Sequence, residues 1–199
     1  MNSIDDILSK IETLEKELAA ELEKKEREFL YTIREKRVRF SEQAKQQHRK
    51  LAATWADYAQ EYGLSRMLTI PVIYFALLPA VFLDAVVSGY QCICFPVYGI
   101  PKVRRGQYII MDHHQLRYLN LIEKLGCAYC SYFNGLIGYV REIAARTEQY
   151  WCPIRHARPV KAPHSRYRHF FAYGDAEGYR TGLAEVRKRF DDAREQDQE

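Results

Sequence analysis

MLTIPVIYFALLPAVFLDAVVSGYQCICFPVYGI, running from Met67 to Ile100, contains a single charged residue, Asp84. A helix crossing the hydrocarbon of a bilayer needs roughly 20 mostly apolar residues, and no other stretch of the chain supplies them. Residues 67–101 are therefore read as the membrane-embedded segment, and the remainder is read outward from it.

Two topologies are open. In the first, one helix from about Leu68 to Tyr90 spans the bilayer, kinked at Pro79, with Asp84 inside the hydrocarbon at a cost on the order of 3 kcal/mol near its centre. In the second, the chain enters at Arg66, turns at Asp84 and returns to Lys102 as a helical hairpin, and Asp84 caps the returning helix at Ala85. The hairpin is the preferred expectation, because the basic flanks Arg66, Lys102, Arg104 and Arg105 then share the cytoplasmic side, as positively charged loops do. Cys92 and Cys94 are expected to be buried apolar thiols.

On the N-terminal side, residues 1–50 hold twelve Lys or Arg, eleven Asp or Glu, and no Gly or Pro. Ile4, Ile7, Ile11, Leu14 and Leu18 follow alternating steps of three and four, the seam of a heptad coiled coil. After Leu18 the phase slips, and Leu22, Phe29, Ile33 and Phe40 continue on a shifted stripe, a stutter that locally unwinds a supercoil. The arm is expected to be a long helix that packs on its own protein, pairs with a second copy, or binds a partner helix. Residues 51–66 form an interfacial helix, in which Trp55, Tyr58 and Tyr62 mark the headgroup level.

On the C-terminal side, residues 102–157 carry the strongest chemical signal. Cys127 and Cys130 form a C-x2-C pair, and Cys152 and His156 form a C-x3-H pair. Three thiolates and one imidazole satisfy tetrahedral zinc, and two ligands from each of two segments is a usual construction. A helix from about Leu136 to Tyr150 would go out and come back to bring the pairs together. Zinc is the expected ion, with iron as the alternative. Glu142 and Glu148 stand close to these ligands in sequence. They either join a catalytic metal or pair with Arg141, Arg146 or Arg155. Two other readings stay open: cysteines packed as small hydrophobes, and a redox dithiol at Cys127 and Cys130. His113 and His114, after a capping Asp112, are read as the start of a further helix.

Residues 158–199 form a basic tail with a short amphipathic helix marked by Leu183, Val186 and Phe190. It is expected to lie on the membrane or on the cysteine domain, with its last ten residues disordered.

Composition limits the function. The chain has 199 residues, a net charge of +4 and five cysteines, with a pI near 8.7 and a mean hydropathy of -0.42. The apolar residues are thus concentrated in one place. The mild positive charge suits anionic headgroups, and no nucleic-acid partner is expected. No cleavable signal peptide is read at the N-terminus, so the membrane segment itself would direct insertion. No phosphate loop or nucleophile elbow is present to name a reaction.

The block from Val97 to Ala157, with IMD at 110–112, YLN at 118–120, EKLGCAYCSY at 123–132, NG at 134–135 and REIAARTEQYWCPIRHA at 141–157, resembles a family of uncharacterised proteobacterial inner-membrane proteins. The resemblance implies the bacterial inner membrane and no activity. The combined expectation is a mainly α protein: a membrane-anchored scaffold with a structural Cys3His site facing the cytoplasm and a coiled-coil arm that recruits a second copy or a partner. Its rival is a membrane-bound metalloenzyme or redox protein using the same site.

Overall fold

The computed structural model describes residues 3–29, 31–34, 37–51, 63 and 65–196. The aromatic residues Trp55, Tyr58 and Tyr62 lie outside the described residues. The chain is mainly helical and divides into two compact units, one made of residues 1–75 and 111–131, the other of residues 76–110 and 132–199. The division cuts across the module expected at 102–157.

In the first unit, α1 (Ser3–Glu28) is followed by a two-stranded antiparallel hairpin, β1 (Tyr31–Arg34) and β2 (Arg37–Phe40), and by α2 (Glu42–Lys50). Tyr31 pairs with Phe40 and Ile33 with Val38. The arm is therefore not one helix: the stripe expected to run on through Ile33 and Phe40 lies in strands. The reason is local, since YTI and VRF concentrate β-branched and aromatic residues that prefer a pleated strand. Ser41 then caps α2, its hydroxyl accepting from the Ala44 amide at 3.2 Å. Along α1 the seam residues Ile7, Ile11, Leu14 and Leu18 are all exposed.

The apolar stretch is helical as expected. It comprises α3 (Ile70–Phe75) in the first unit and α4 (Leu77–Tyr98) in the second. The break between them has a cause in Pro79: a proline ring clashes with the carbonyl four residues back, which is that of Phe75, the last residue of α3. The hairpin turn expected at Asp84 is absent. Asp84 lies in the second turn of an unbroken helix that continues to Tyr98, and Gly99 in the left-handed conformation (φ 69°) ends it. Nothing in the run from Leu83 to Ser88 breaks a helix, and the charge that suggested a turn is satisfied by side chains instead. The single kinked helix, the other sequence reading, describes this stretch.

After a short helix α5 (Arg105–Tyr108) and a 3₁₀ turn at His113–Gln115, α6 runs from Leu121 to Trp151. Asp112 makes no side-chain cap, and the helix starts eight residues after the expected His113. Asn120 and Glu123 form the cap, the Asn120 side chain accepting from the Glu123 amide (3.0 Å) and the Glu123 carboxylate from the Asn120 amide (2.7 Å), a reciprocal capping box.

The second unit is built around the packing of α4 against the later part of α6. Phe95, Val103, Leu136, Tyr139, Ile143 and Phe190 belong to one buried cluster. The tail joins this core through a 3₁₀ segment (Ser165–His169), α7 (Ala176–Val186) and α8 (Asp191–Gln196). Val186, Phe190 and Ala193 are buried, and residues 191–196 of the stretch expected to be disordered form a helix.

Candidate membrane-contact face and the polar ladder behind it

The inner face of α4 sets the polar Asp84, Ser88 and Gln91 between the buried apolar residues Ala80 and Phe95. Asp84, Ser88 and Gln91 recur at steps of four and three, which places them on one side of a helix. Asp84 receives Arg105 as a fork: Nε lies 3.2 Å from both carboxylate oxygens and Nη2 2.7 Å from Oδ2. The Tyr132 hydroxyl donates to Oδ2 at 3.0 Å, and the Ser88 hydroxyl to Oδ1 at 3.3 Å. Ser88 Oγ also lies 3.2 Å from the Tyr139 hydroxyl. Gln91 donates to that hydroxyl and to the Val103 carbonyl (3.3 Å), while the Val103 amide donates back to Gln91 Oε1 at 2.9 Å. Every hydrogen-bonding group of this ladder that leaves water finds a partner, as buried polar groups must. The contacts 84 with 132, 88 with 139 and 90 with 147 climb both helices together, so α4 and this part of α6 run parallel.

The outer face of α4 is apolar. Leu78 is 65% exposed, Phe82 72%, Ile93 71% and Val97 76%. The helical stretch Ser65–Tyr98 has a mean hydropathy of 2.2 over its most apolar window, of which only 6% is buried. A core helix of a water-soluble protein turns its apolar side inward. This one also leaves a broad apolar side uncovered, and the stretch is long and apolar enough to cross a membrane.

Of the predicted flanking charges, Arg105 does not stay at the helix end. It folds back to Asp84, fourteen residues before Tyr98. Lys102 lies beside the helix too, its Nζ 3.7 Å from Cys92 Sγ. Arg104 is exposed next to them and Arg66 is exposed in the first unit. Cys92, expected to be buried, is exposed.

Of the four expected metal ligands, Cys127 and Cys130 belong to the first unit and Cys152 and His156 to the second. Cys127 and Cys130 lie within α6 and Cys152 follows its last residue. The residues between Cys130 and Cys152 are helical. Cys152 and His156 are exposed. Among the described residues no three His, Cys, Asp or Glu side chains are placed to hold a metal ion. The helix expected from about Leu136 to Tyr150 begins earlier, at Leu121 behind the Asn120 cap.

Glu142 and Glu148 have other partners. Arg146 Nε donates to Glu142 Oε1 at 2.9 Å, and the Ser165 hydroxyl to Oε2 at 2.7 Å. His164 Nε2 lies 3.0 Å from Glu148 Oε2, and Arg141 Nη2 donates to the carbonyls of Ala162 and Pro163. Of the pairings open to the two glutamates, Glu142 with Arg146 is formed.

Burial pushes the His164 imidazole below its ordinary value, outweighing the upward pull of Glu148, and the Arg141 charge adds to the fall. Its Nδ1 is buried with no partner among the described residues, so a second ring proton would lack an acceptor. A folded-state pKa lowered in this way makes the unfolded chain bind more protons. Stability contributed above about pH 6.5 is therefore lost as the pH falls through that value. Urea midpoints measured from about pH 7.5 to about pH 5 should fall, and His164→Gln should flatten that part of the profile. An equal slope in the variant would show that other groups set it.

Sequence reasoning missed the ladder, although its signals were present in the steps from Asp84 to Ser88 to Gln91 and in the seven-residue step from Tyr132 to Tyr139. Compared with family models, with curated proteins and with solved structures, the chain gives no match.

Proposed function

We propose that the chain is a membrane-anchored scaffold of the bacterial inner membrane, facing the cytoplasm, in which the apolar helical stretch seats the protein on lipid and α1 joins it to a second copy. The observation that carries this reading is the broad apolar outer face of α4, left uncovered by the rest of its unit, which only an apolar surrounding would reward. The placement in the inner membrane rests on the family resemblance of the Val97 to Ala157 block. The cytoplasmic side rests on the basic residues beside the apolar stretch.

The association half rests on the exposed seam of α1. Ile7, Ile11, Leu14 and Leu18 present an apolar line without cover. In a parallel pair of such helices Lys10 and Glu15 occupy the two flanking heptad positions that face each other across the strands, so opposite charges meet twice. A second copy is the occupant this pattern fits. No reaction is assigned.

The test uses the full-length chain. Mixed with phosphatidylethanolamine and phosphatidylglycerol vesicles, it should float with the lipid, and in detergent its sedimentation mass should be twice the 23.4 kDa of one chain. Leu14→Lys should halve that mass and leave flotation unchanged. A wild-type chain that stays in the aqueous fraction overturns the anchor, and one that sediments as a monomer overturns the association.

A further inference from the structure

Resting on the lipid seat proposed above, the geometry points to the way α4 meets the bilayer: we propose that it lies in the plane of the interface with one face in lipid, and does not cross.

The argument starts from Arg105. A spanning α4 of 22 residues would rise about 33 Å and put its midpoint, near Val87 and Ser88, at the centre of the hydrocarbon. Asp84 and Arg105 would lie within about a turn of that centre, and the Arg105 side chain is 47% exposed. It would face acyl chains, where an arginine is strongly disfavoured. The same holds for α6, which runs alongside. Tyr139 touches Ser88 and Gln91, and the next residues at that level are Arg141, exposed and bonded to the loop at Ala162 and Pro163, and Glu142. A span would draw this charged flank into the membrane along most of the helix.

An in-plane seat requires none of this. At ~100° per residue, Leu78, Phe82, Val86, Ile93 and Val97 fall within roughly a third of the circumference, and all are exposed. Ala80, Asp84, Gln91 and Phe95, on the opposite side, are buried in the unit. The return segment supplies the rim. Lys102 stands beside Cys92 and Arg105 beside Asp84, so two cations flank the middle of the helix about 12 Å apart along its axis. Charges spread along one edge of a helix suit headgroups lying parallel to it, whereas a crossing helix needs them beyond its ends. The lipid is therefore an anionic leaflet reached from one side, with the outer face of α4 sunk roughly 5–10 Å to the headgroup and acyl boundary.

The test is a depth profile. Nitroxide labels are placed through Leu78→Cys, Phe82→Cys, Val86→Cys, Ile93→Cys and Val97→Cys, one at a time, in the full-length chain with its five native cysteines replaced by serine. Immersion is read by spin-label accessibility to oxygen and to a water-soluble nickel complex in the same anionic vesicles. The expected result is one shallow depth at all five positions. A profile deepest at Val86 and shallow at Leu78 and Val97 overturns the in-plane seat while leaving membrane association standing. Labels that report water at every position overturn both. Should the serine background not fold, tryptophan at the same five positions in the native-cysteine chain, read by brominated-lipid quenching, makes the same distinction.

Discussion

Arg166→Ala is expected to lower the stability of the folded chain by about 3–5 kcal/mol, the range for removing one partner of a buried ion pair. Arg166 is 1% exposed and uses its whole fork. Nη1 and Nη2 reach the two Asp192 oxygens at 2.9 and 2.8 Å, Nε reaches Gln149 Oε1 at 2.6 Å, and Nη2 also reaches the Arg189 carbonyl at 3.0 Å. Its guanidinium lies 5.3 Å from the centre of the Phe190 ring. One side chain thus ties α8 and the end of α7 to α6, and Gln149 completes the joint by donating to the carbonyls of Val186 and Arg189. Truncation removes both donors of the fork from Asp192, which keeps Arg168 and His169, and leaves Gln149 Oε1 without its donor. For a chain of this size the loss corresponds to a fall in Tm on the order of 6–20 °C.

The same joint has an acid limit. Burial pushes the Asp192 carboxyl up, yet the hydrogen bonds from His169 and Arg166, the Arg166 charge and the bond from Arg168 outweigh it and hold the group well below the carboxylate range. A folded-state value below the unfolded one contributes stability that is complete above about pH 4 and lost as the pH falls toward the native value. Asp192→Asn should therefore reduce the slope of stability against pH in that acid range. A change in Tm below roughly 2 °C for Arg166→Ala would mean that the tail does not depend on this joint.

Gly135→Ala is expected to destabilise by about 2–3 kcal/mol, although alanine is the better helix former by about 1 kcal/mol. A Cβ at Gly135 would stand 2.5 Å from the Tyr108 carbonyl oxygen and 2.8 Å from Ile109 Cα. Both are backbone atoms and cannot rotate aside. At Gly138 the nearest atom is the Tyr108 ring at 3.2 Å, so the connecting segment lies in a groove that the two glycines open on α6. Forcing it out strains the segment that carries Arg105 to Asp84. Thermal denaturation of Gly135→Ala separates the two terms: a higher Tm would show that helix propensity dominates and that the segment yields.

The fold and the candidate site were legible to different extents, for physical reasons. Apolar density marked the helical stretch of the centre, because hydropathy is a property of residues taken in a row. Heptad spacing marked α1 for the same reason, and the stripe failed at Ile33 and Phe40 because strand preference overrode a helical phase that had already slipped. The glutamate pairing was legible in part: Arg146 stands four residues after Glu142, one helical turn away. The joint from Arg166 to Asp192 and Gln149 crosses segments distant in the chain, and no spacing announces it.

The sequence by itself determined a mainly helical chain with one stretch apolar enough to enter a membrane, since both follow from local preference and from the transfer of side chains out of water. Tertiary structure alone decided where the charges stand. Asp84 reads as a turn in sequence and is an inward-facing ion-pair partner in the fold. Arg105 reads as a flank and folds back along the helix. The cysteine pairs read as one module in sequence, and the fold assigns Cys127 and Cys130 to one unit and Cys152 and His156 to the other. In each case the deciding quantity is a distance between residues far apart in the chain, set by whether a helix continues or stops, and a few capping and proline residues settle that.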